Sequence, residues 1–455
     1  LSGLIDHFQE AVMDWRLAAT VMWIGLFACV SRADVPPADS GIEVQPTLVL
    51  HCGHLLAVPG EPAMRRATVE IRGGVIVSVS KGYRDIEPSP GEVVQTIDLK
   101  DRFVLPGLID CHTHITGQYS KDVRLRRVSE SDADNAIKGV VYARRTLEAG
   151  FTTIRNVGSS GDAAFALRDA INAGLVPGPR ILVAGESITP TGGHSDGTLG
   201  YREDLFDTPG AMAGVADGAD GARAAVRAQV KRGADLIKLT ATGGVLSNTA
   251  AGVDRKFFDD ELEAIVQTSR LLGRTIAAHA HGPEGIKAAL RAGVDSIEHG
   301  TYLDDECIEL FLETGAYLVP TIHAGKFVAE KAEIDGYFPP PIRHKAAAVG
   351  PQIQGSFGRA HKAGVKIAFG TDVGVGEHGT NAEEFVYMVE AGMTPAEAIR
   401  CATVYAADLC GLSAEIGTIE VGKWADLIAV DGDPTADVAV LLDVRWVMAG
   451  GRVAK

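Results

Sequence analysis

The 455-residue chain has no Cys-x-x-Cys pair. Its six cysteines (Cys29, Cys52, Cys111, Cys307, Cys401 and Cys410) have no spacing suited to a zinc ribbon or a thioredoxin-like centre. They read as small core residues, because disulfide frameworks belong to small exported domains. Positive charge is also scarce: 43 lysines and arginines against 59 aspartates and glutamates give a net charge of −16. No basic face is left to neutralise phosphates, which excludes nucleic acid as a partner. Small anions are not excluded, since a few local cations suffice to hold one. No G-x-G-x-x-G follows the first strand-like run of the central region, so an open dinucleotide-binding sheet has no support. What is present is 46% hydrophobic and 22% charged residues, a balance that suits a sizeable core, and 53 glycines, which favour many short loops.

The N-terminus has no run long enough for a comfortable membrane span. Leu17 to Val30 is a 14-residue stretch without charge after Arg16, against about 20 residues for a transmembrane helix. Ser31-Arg32-Ala33 follows, with small residues where a signal peptidase would cut after Ala33. Leu26-Phe27-Ala28-Cys29 offers an overlapping lipoprotein signal, which the bulky Phe27 weakens, and a retained apolar helix is the bland alternative. The expectation is export to the periplasm or medium, with residues 1–33 outside the fold and no stable membrane span in the mature form.

Two distant segments share a β-rich texture. Thr47–His51, Ala67–Arg72 and Val75–Val79 alternate, and Gly73-Gly74 between the last two reads as a hairpin turn. Gly417–Val421, Ala425–Val430 and Val444–Met448 repeat the texture near the C-terminus. They predict one small β-sandwich domain built from both ends, residues 45–102 and 414–455. Between them, over 103–413, eight apolar runs alternate with amphipathic helical stretches: Phe103–Ile109, Thr152–Asn156, Arg180–Ala184, Leu236–Leu239, Thr275–Ala278, Ser296–Glu298, Tyr317–Pro320 and Lys366–Gly370. Helices are expected from Asp259 or Asp260 to Leu272, and from Thr394-Pro395 to about Leu409. Eight strand–helix repeats predict an α/β fold, a (β/α)8 TIM-like barrel.

Chemistry in such a barrel gathers at the C-terminal ends of the strands. Here the first run ends Asp110-Cys-His-Thr-His114, the fourth Lys238-Leu-Thr-Ala-Thr-Gly-Gly244, the fifth His279-Ala-His281, the sixth Glu298-His-Gly300 and the eighth Gly370-Thr-Asp372. Residues two apart on a strand point the same way, so His112 and His114 can share one metal ion. Any one of these residues has a bland reading as a loop histidine, a snorkelling lysine or a helix cap. Five of thirteen histidines at such positions is a conjunction that those readings do not explain.

The ordered set Leu105-Pro-Gly-Leu-Ile-Asp-Cys-His-Thr-His114, Lys238, His279, Glu298-His-Gly300 and Gly370-Thr-Asp372 resembles the amidohydrolase superfamily over roughly residues 45–455. Thr191-Gly-Gly-His194 and Thr240-Ala-Thr-Gly-Gly-Val245 are similar to its imidazolonepropionase-like branch, which includes Xaa-Pro dipeptidases and ochratoxin-degrading amidohydrolases. The resemblance implies two divalent ions, zinc by default. His112, His114 and Asp372 would hold one, His279 and His299 the other, and Lys238, carboxylated on Nζ, would bridge them. Superfamily deaminases typically use one metal and no such lysine, so Lys238 favours hydrolysis. The family mechanism implies hydroxide attack on an amide carbonyl, with Asp372 passing the proton to the leaving nitrogen. His281, outside the family ligand set, is read as a catalytic and substrate-contacting residue. Tyr119, Arg155, His194 and His323 are the other candidate contacts for a substrate carboxylate.

The leading expectation is a metallocarboxypeptidase-like enzyme cleaving a small N-acyl amino acid or dipeptide, with ochratoxin A to ochratoxin alpha and phenylalanine as one case. Rivals are a Xaa-Pro dipeptidase, an imidazolone or lactone ring hydrolase, and a non-catalytic barrel scaffold. The resemblance further implies a homo-oligomer, with an octamer as one form.

Overall fold

A computed structural model describes residues 46–249 and 251–455; the expected export signal over residues 1–33, and Cys29 within it, lie outside them. In chain order the strands are β1 (Thr47–Leu55), β2 (Met64–Arg72), β3 (Val75–Lys81), β4 (Val94–Pro106), β5 (Leu108–Thr113), β6 (Phe151–Asn156), β7 (Arg180–Val183), β8 (Leu236–Thr240), β9 (Thr275–Ala280), β10 (Ser296–His299), β11 (Tyr317–Val319), β12 (Leu427–Val430), β13 (Trp446–Ala449) and β14 (Arg452–Val453).

Both ends of the described chain meet in one seven-stranded sheet, ordered β14-β13-β12-β4-β1-β2-β3. Gly73 and Gly74 make the β2–β3 turn with φ of 57° and 81°, the left-handed pair that a two-residue hairpin needs. One face buries Leu50, Val69, Ile76, Val104, Leu427 and Met448. The expected two-layer sandwich is, in its hydrogen bonding, a single sheet.

The first barrel run also needs correcting, because Phe103–Ile109 is two strands. Phe103 to Pro106 pairs with Val430 to Leu427 in the seven-stranded sheet, and the chain then turns at Gly107 into β5. A Cβ at Gly107 would lie 2.2 Å from Thr152 Oγ1, so only glycine lets the chain change sheets there.

The remaining strands form two parallel sheets, β5-β6-β7 and β11-β10-β9-β8, with helices between successive strands. The arrangement is TIM-barrel-like. The eighth expected strand, Lys366–Gly370, forms no ladder of its own. It is an extended segment between β11 and β5, bridging Ile367 to Leu318 while Phe369 O accepts from Cys111 N at 2.8 Å. At the opposite seam Ile188 N donates to Lys238 O at 2.8 Å, and Thr240 N to Ile188 O at 2.9 Å. Strand alternation sorts the side chains. On β8, Ile237 and Leu239 join the large core shared with the helices, which leaves Lys238 on the inner side.

Two helices differ from expectation at their ends. The helix Asp259–Leu271 is capped at Phe258, whose N–H is accepted by Glu261 at 2.7 Å, rather than by an aspartate. The expected helix to Leu409 breaks into Pro395–Cys401 and Val404–Leu409. At the break the carbonyls of Cys401 and Ala402 leave the helix and accept from Phe369 and Ile109. Thr403 Oγ1 donates to Ile399 O at 2.6 Å and favours the break. Among the described residues the cysteines are free, and no helix is long and apolar enough to cross a membrane.

Candidate active site

The strand ends converge on one cavity. His112, His114, Lys238, His279, His281, His299 and Asp372 share it with the apolar side chains Val245, Leu246, Val328, Val349, Ile353 and Val375. Two groups of potential ligands stand out: His112, His114 and Asp372, and His279, His281 and His299. Within each group the ligand atoms lie within 4.8 Å of one another. The groups adjoin, with the His112 and His299 rings 5.0 Å apart.

Each imidazole is oriented by a second partner. His112 Nδ1 donates to Glu298 Oε2 at 2.6 Å, and His114 Nδ1 donates to Gly158 O at 2.7 Å. In a neutral ring, a proton kept at Nδ1 leaves the lone pair on Nε2. The two Nε2 atoms lie 3.6 and 3.2 Å from Asp372 Oδ1, a buried oxygen that has no hydrogen bond of good geometry. His281 and His299 are fixed through Nδ1 by Thr301 and Thr321, each at 2.7 Å. This is how proteins orient metal-ligating histidines. Burial lowers the His112 pKa to about 4 and that of His281 to about 3, and holds His279 and His299 well below the ordinary range. These four rings therefore offer lone pairs at neutral pH.

Backbone strain marks the same place. His299, Thr321 and Asp372 have φ of 72°, 53° and 61°, conformations that cost about 1–3 kcal/mol each for non-glycine residues. Asp110 holds the Asp372 segment in position. It accepts from Thr371 N, Thr371 Oγ1 and Asn381 Nδ2, and from His112 N on its own strand. Burial raises the Asp372 carboxyl, but His112, His114 and Lys238 outweigh it and leave the group below its ordinary value. The Lys238 amine makes no hydrogen bond or ion pair with another described residue, and burial lowers its pKa to about 8. An amine in that range is partly neutral at physiological pH.

The candidate substrate contacts divide. His194 lines the cavity, stacks on His279 and has Nδ1 2.7 Å from Ser247 Oγ. His281 lines it as well, but as a member of a potential ligand group. Tyr119 is half-buried against Tyr337 and Phe338 and lines an outer cleft instead. Arg155 is a correction: it is 1% exposed and lies beneath the ligand layer. Its guanidinium donates to Cys111 O, Ser296 Oγ and Glu298 Oε1, so it has no reach into the cavity. His323 is a second correction. It sits in the first turn of the helix Ile322–Ala332, with Nε2 2.8 Å from Thr380 Oγ1 and N–H accepted by Glu384. Sequence reasoning missed Glu298 and Asp110 as positioning residues. Their only signal was position: Glu298 directly precedes His299, and Asp110 stands two residues before His112.

Convergent imidazoles and a carboxylate at the mouth of parallel strands define a hydrolase centre of the metal-binding kind. A model of the amidohydrolase family matches residues 103–454, and the chain belongs to that family. It is 33% identical over 431 residues to the ochratoxinase of Aspergillus niger, covering 90% of this chain and 86% of the relative. To the imidazolonepropionase of Sphingopyxis alaskensis it is 28% identical over 367 residues, 74% of this chain and 80% of the relative. A solved Xaa-Pro dipeptidase with methionine bound in its active site superposes with a TM-score of 0.84 at 45% identity, over 90% of this chain and 99% of that one. The protein is thus a hydrolytic enzyme for amide or peptide bonds, and the scaffold reading loses its support.

Proposed function

We propose that the protein is a binuclear metal-dependent amidohydrolase that releases the C-terminal amino acid of an N-acyl amino acid or dipeptide. The observation that carries this is the placing of two ligand groups in one cavity with an unpaired, buried lysine. His112, His114 and Asp372 would hold one divalent ion, and His279 and His299, with His281 beside them, the other. Zinc suits this nitrogen and oxygen donor set. A neutral Lys238 amine would add to CO2 and lose a proton, and the carbamate formed would offer oxygen donors to ions held by the two groups. Two such ions, when bound, would lower the pKa of a water and polarise the scissile carbonyl.

The chain's own residues do the rest. Asp372, held as a carboxylate by His112, His114 and Lys238, accepts a proton from the attacking water and delivers it to the leaving nitrogen. His194 closes one wall over His279, and the apolar wall excludes water from the amide. The likeness to ochratoxinase supports an acyl-phenylalanine substrate such as ochratoxin A. The 45% identity to a Xaa-Pro dipeptidase supports the second reading, an acyl-proline substrate. A panel of N-acyl-phenylalanine and N-acyl-proline substrates separates the two.

The test of the centre is metal content per chain, with amide hydrolysis assayed before and after chelation. The proposal requires two equivalents, loss of activity on chelation and recovery with zinc. One equivalent with activity intact would move the enzyme to mononuclear chemistry.

A further inference from the structure

The inner cavity opens into a wider cleft that shares His114, His194, Leu246 and Val375 with it. In a chain of net charge −16, this cleft is lined by Arg124, Arg126 and Arg127, all from the short helix Val123–Ser129. The hydrogen bonds of the three guanidiniums go to neutral oxygens. Arg124 donates to Gly200 O, Arg126 to Gln118 O and Ser120 Oγ, and Arg127 to Ser160 Oγ. The acids of the cleft are engaged elsewhere: Glu130 by Lys138, Asp132 by the N–H of Asp162, and Asp196 by Gly192 and Thr198. Arg126 Nε is buried and donates to nothing. A buried donor without an acceptor is uncommon in folded proteins and calls for a specific partner.

We infer that this cleft is a second subsite, which receives a carboxylate of the substrate through the guanidiniums of Arg126 and Arg124. A guanidinium presents a planar fork of donors that matches a carboxylate's two oxygens. The amide then lies between an apolar cavity and a cationic cleft, so the preferred substrate is apolar on one side of the scissile bond and anionic on the other. The inference rests on the amide-hydrolase reading, and it assigns the carboxylate to residues other than Tyr119, Arg155 and His323.

The test compares N-benzoyl-phenylalanine with its neutral C-terminal carboxamide, following benzoate release by the metal-loaded enzyme. The wild type should favour the acid at least tenfold in kcat/KM. Arg126→Met should lose that preference chiefly through KM, Arg124→Gln should lose part of it, and Arg126→Lys should restore part. The acid-to-carboxamide ratio does not depend on the fraction folded, so a poorly folding variant still reports. Equal rates on both compounds, or an unchanged ratio in Arg126→Met, would overturn the subsite. If the wild type cleaves neither compound, the acyl-phenylalanine reading fails, and calorimetric titration of the same two compounds decides the subsite by itself. Tighter binding of the acid, lost in Arg126→Met, upholds it; equal binding overturns it.

Discussion

The imidazole of His194 stacks on that of His279, with ring centroids 4.3 Å apart and planes 28° from parallel. His194 comes from a glycine-rich loop and His279 from the end of β9, so the stack joins a loop to the strand that carries a candidate ligand. Its depth depends on Gly244, where a Cβ would lie 2.2 Å from the His194 ring. Lys345 fixes the same turn by donating to Gly244 O and Ser247 O at 2.9 and 2.7 Å.

Gly244→Ala should therefore push His194 off His279 and lower kcat/KM by about 10- to 100-fold, the size of effect seen when a ligand loses its outer support. Steady-state kinetics on the variant checks this. A wild-type kcat/KM would show that the stacked ring is dispensable.

Glu298 accepts from both Arg155 and His112 in a fully buried site. Burial alone would raise its pKa, yet Arg155, His112 and Lys238 hold the carboxyl well below its ordinary value. Glu298→Gln leaves the Arg155 guanidinium buried without a counter-charge, and breaking a buried pair costs about 3–5 kcal/mol. Urea denaturation should show a loss of that size, and metal titration a weaker site at His112. A stability loss below about 1 kcal/mol would mean that water or another group replaces the carboxylate.

Lys238→Met should abolish hydrolysis and reduce the metal content below two per chain while leaving the fold intact, because the change keeps an unbranched side chain of similar volume. Elemental analysis with circular dichroism reads both. Two tightly held ions in this variant would remove the lysine from the bridging role.

A pH effect is expected away from the centre. Burial raises the Glu186 carboxyl to about 7, against partial compensation from the Gly161 N–H and Arg232. The folded state then holds a proton that the unfolded state releases near the ordinary carboxylate value. Stability from this group is present below about 4.5 and declines as the pH rises to about 7. Glu186→Gln, whose amide oxygen still accepts from Gly161, should raise Tm at pH 8 relative to the wild type and change it little at pH 4. Parallel Tm profiles for the two proteins would count against a raised pKa.

The ligand positions were legible because strand periodicity and barrel topology act together. Two histidines spaced by one residue share a side, and strand ends share a mouth, so His112, His114, His279, His299 and Asp372 were expected in one cavity, where they lie; their ligand roles came from the family resemblance. Depth was not legible. Arg155 points inward like its neighbours, yet it stands below the ligand layer, where Glu298 claims it. His323 was misplaced because Thr321 takes a left-handed conformation and the chain turns directly into a helix, carrying the ring toward Thr380. The break at Ala402 was hidden for a similar reason: its carbonyl is needed by Ile109 on β5, a partner almost 300 residues away.

The sheet that unites β1–β4 with β12–β14 has a consequence for biosynthesis. β4 waits for β12, with Phe103 facing Val430 across the ladder. Until β12 has left the ribosome, β4 presents a bare edge of unpaired amides and carbonyls, a template for pairing with another chain. A chain truncated before Leu427 would keep every candidate ligand and still carry that open edge. Self-association of nascent or C-terminally clipped chains is thus a hazard inherent in the order in which this polypeptide is made.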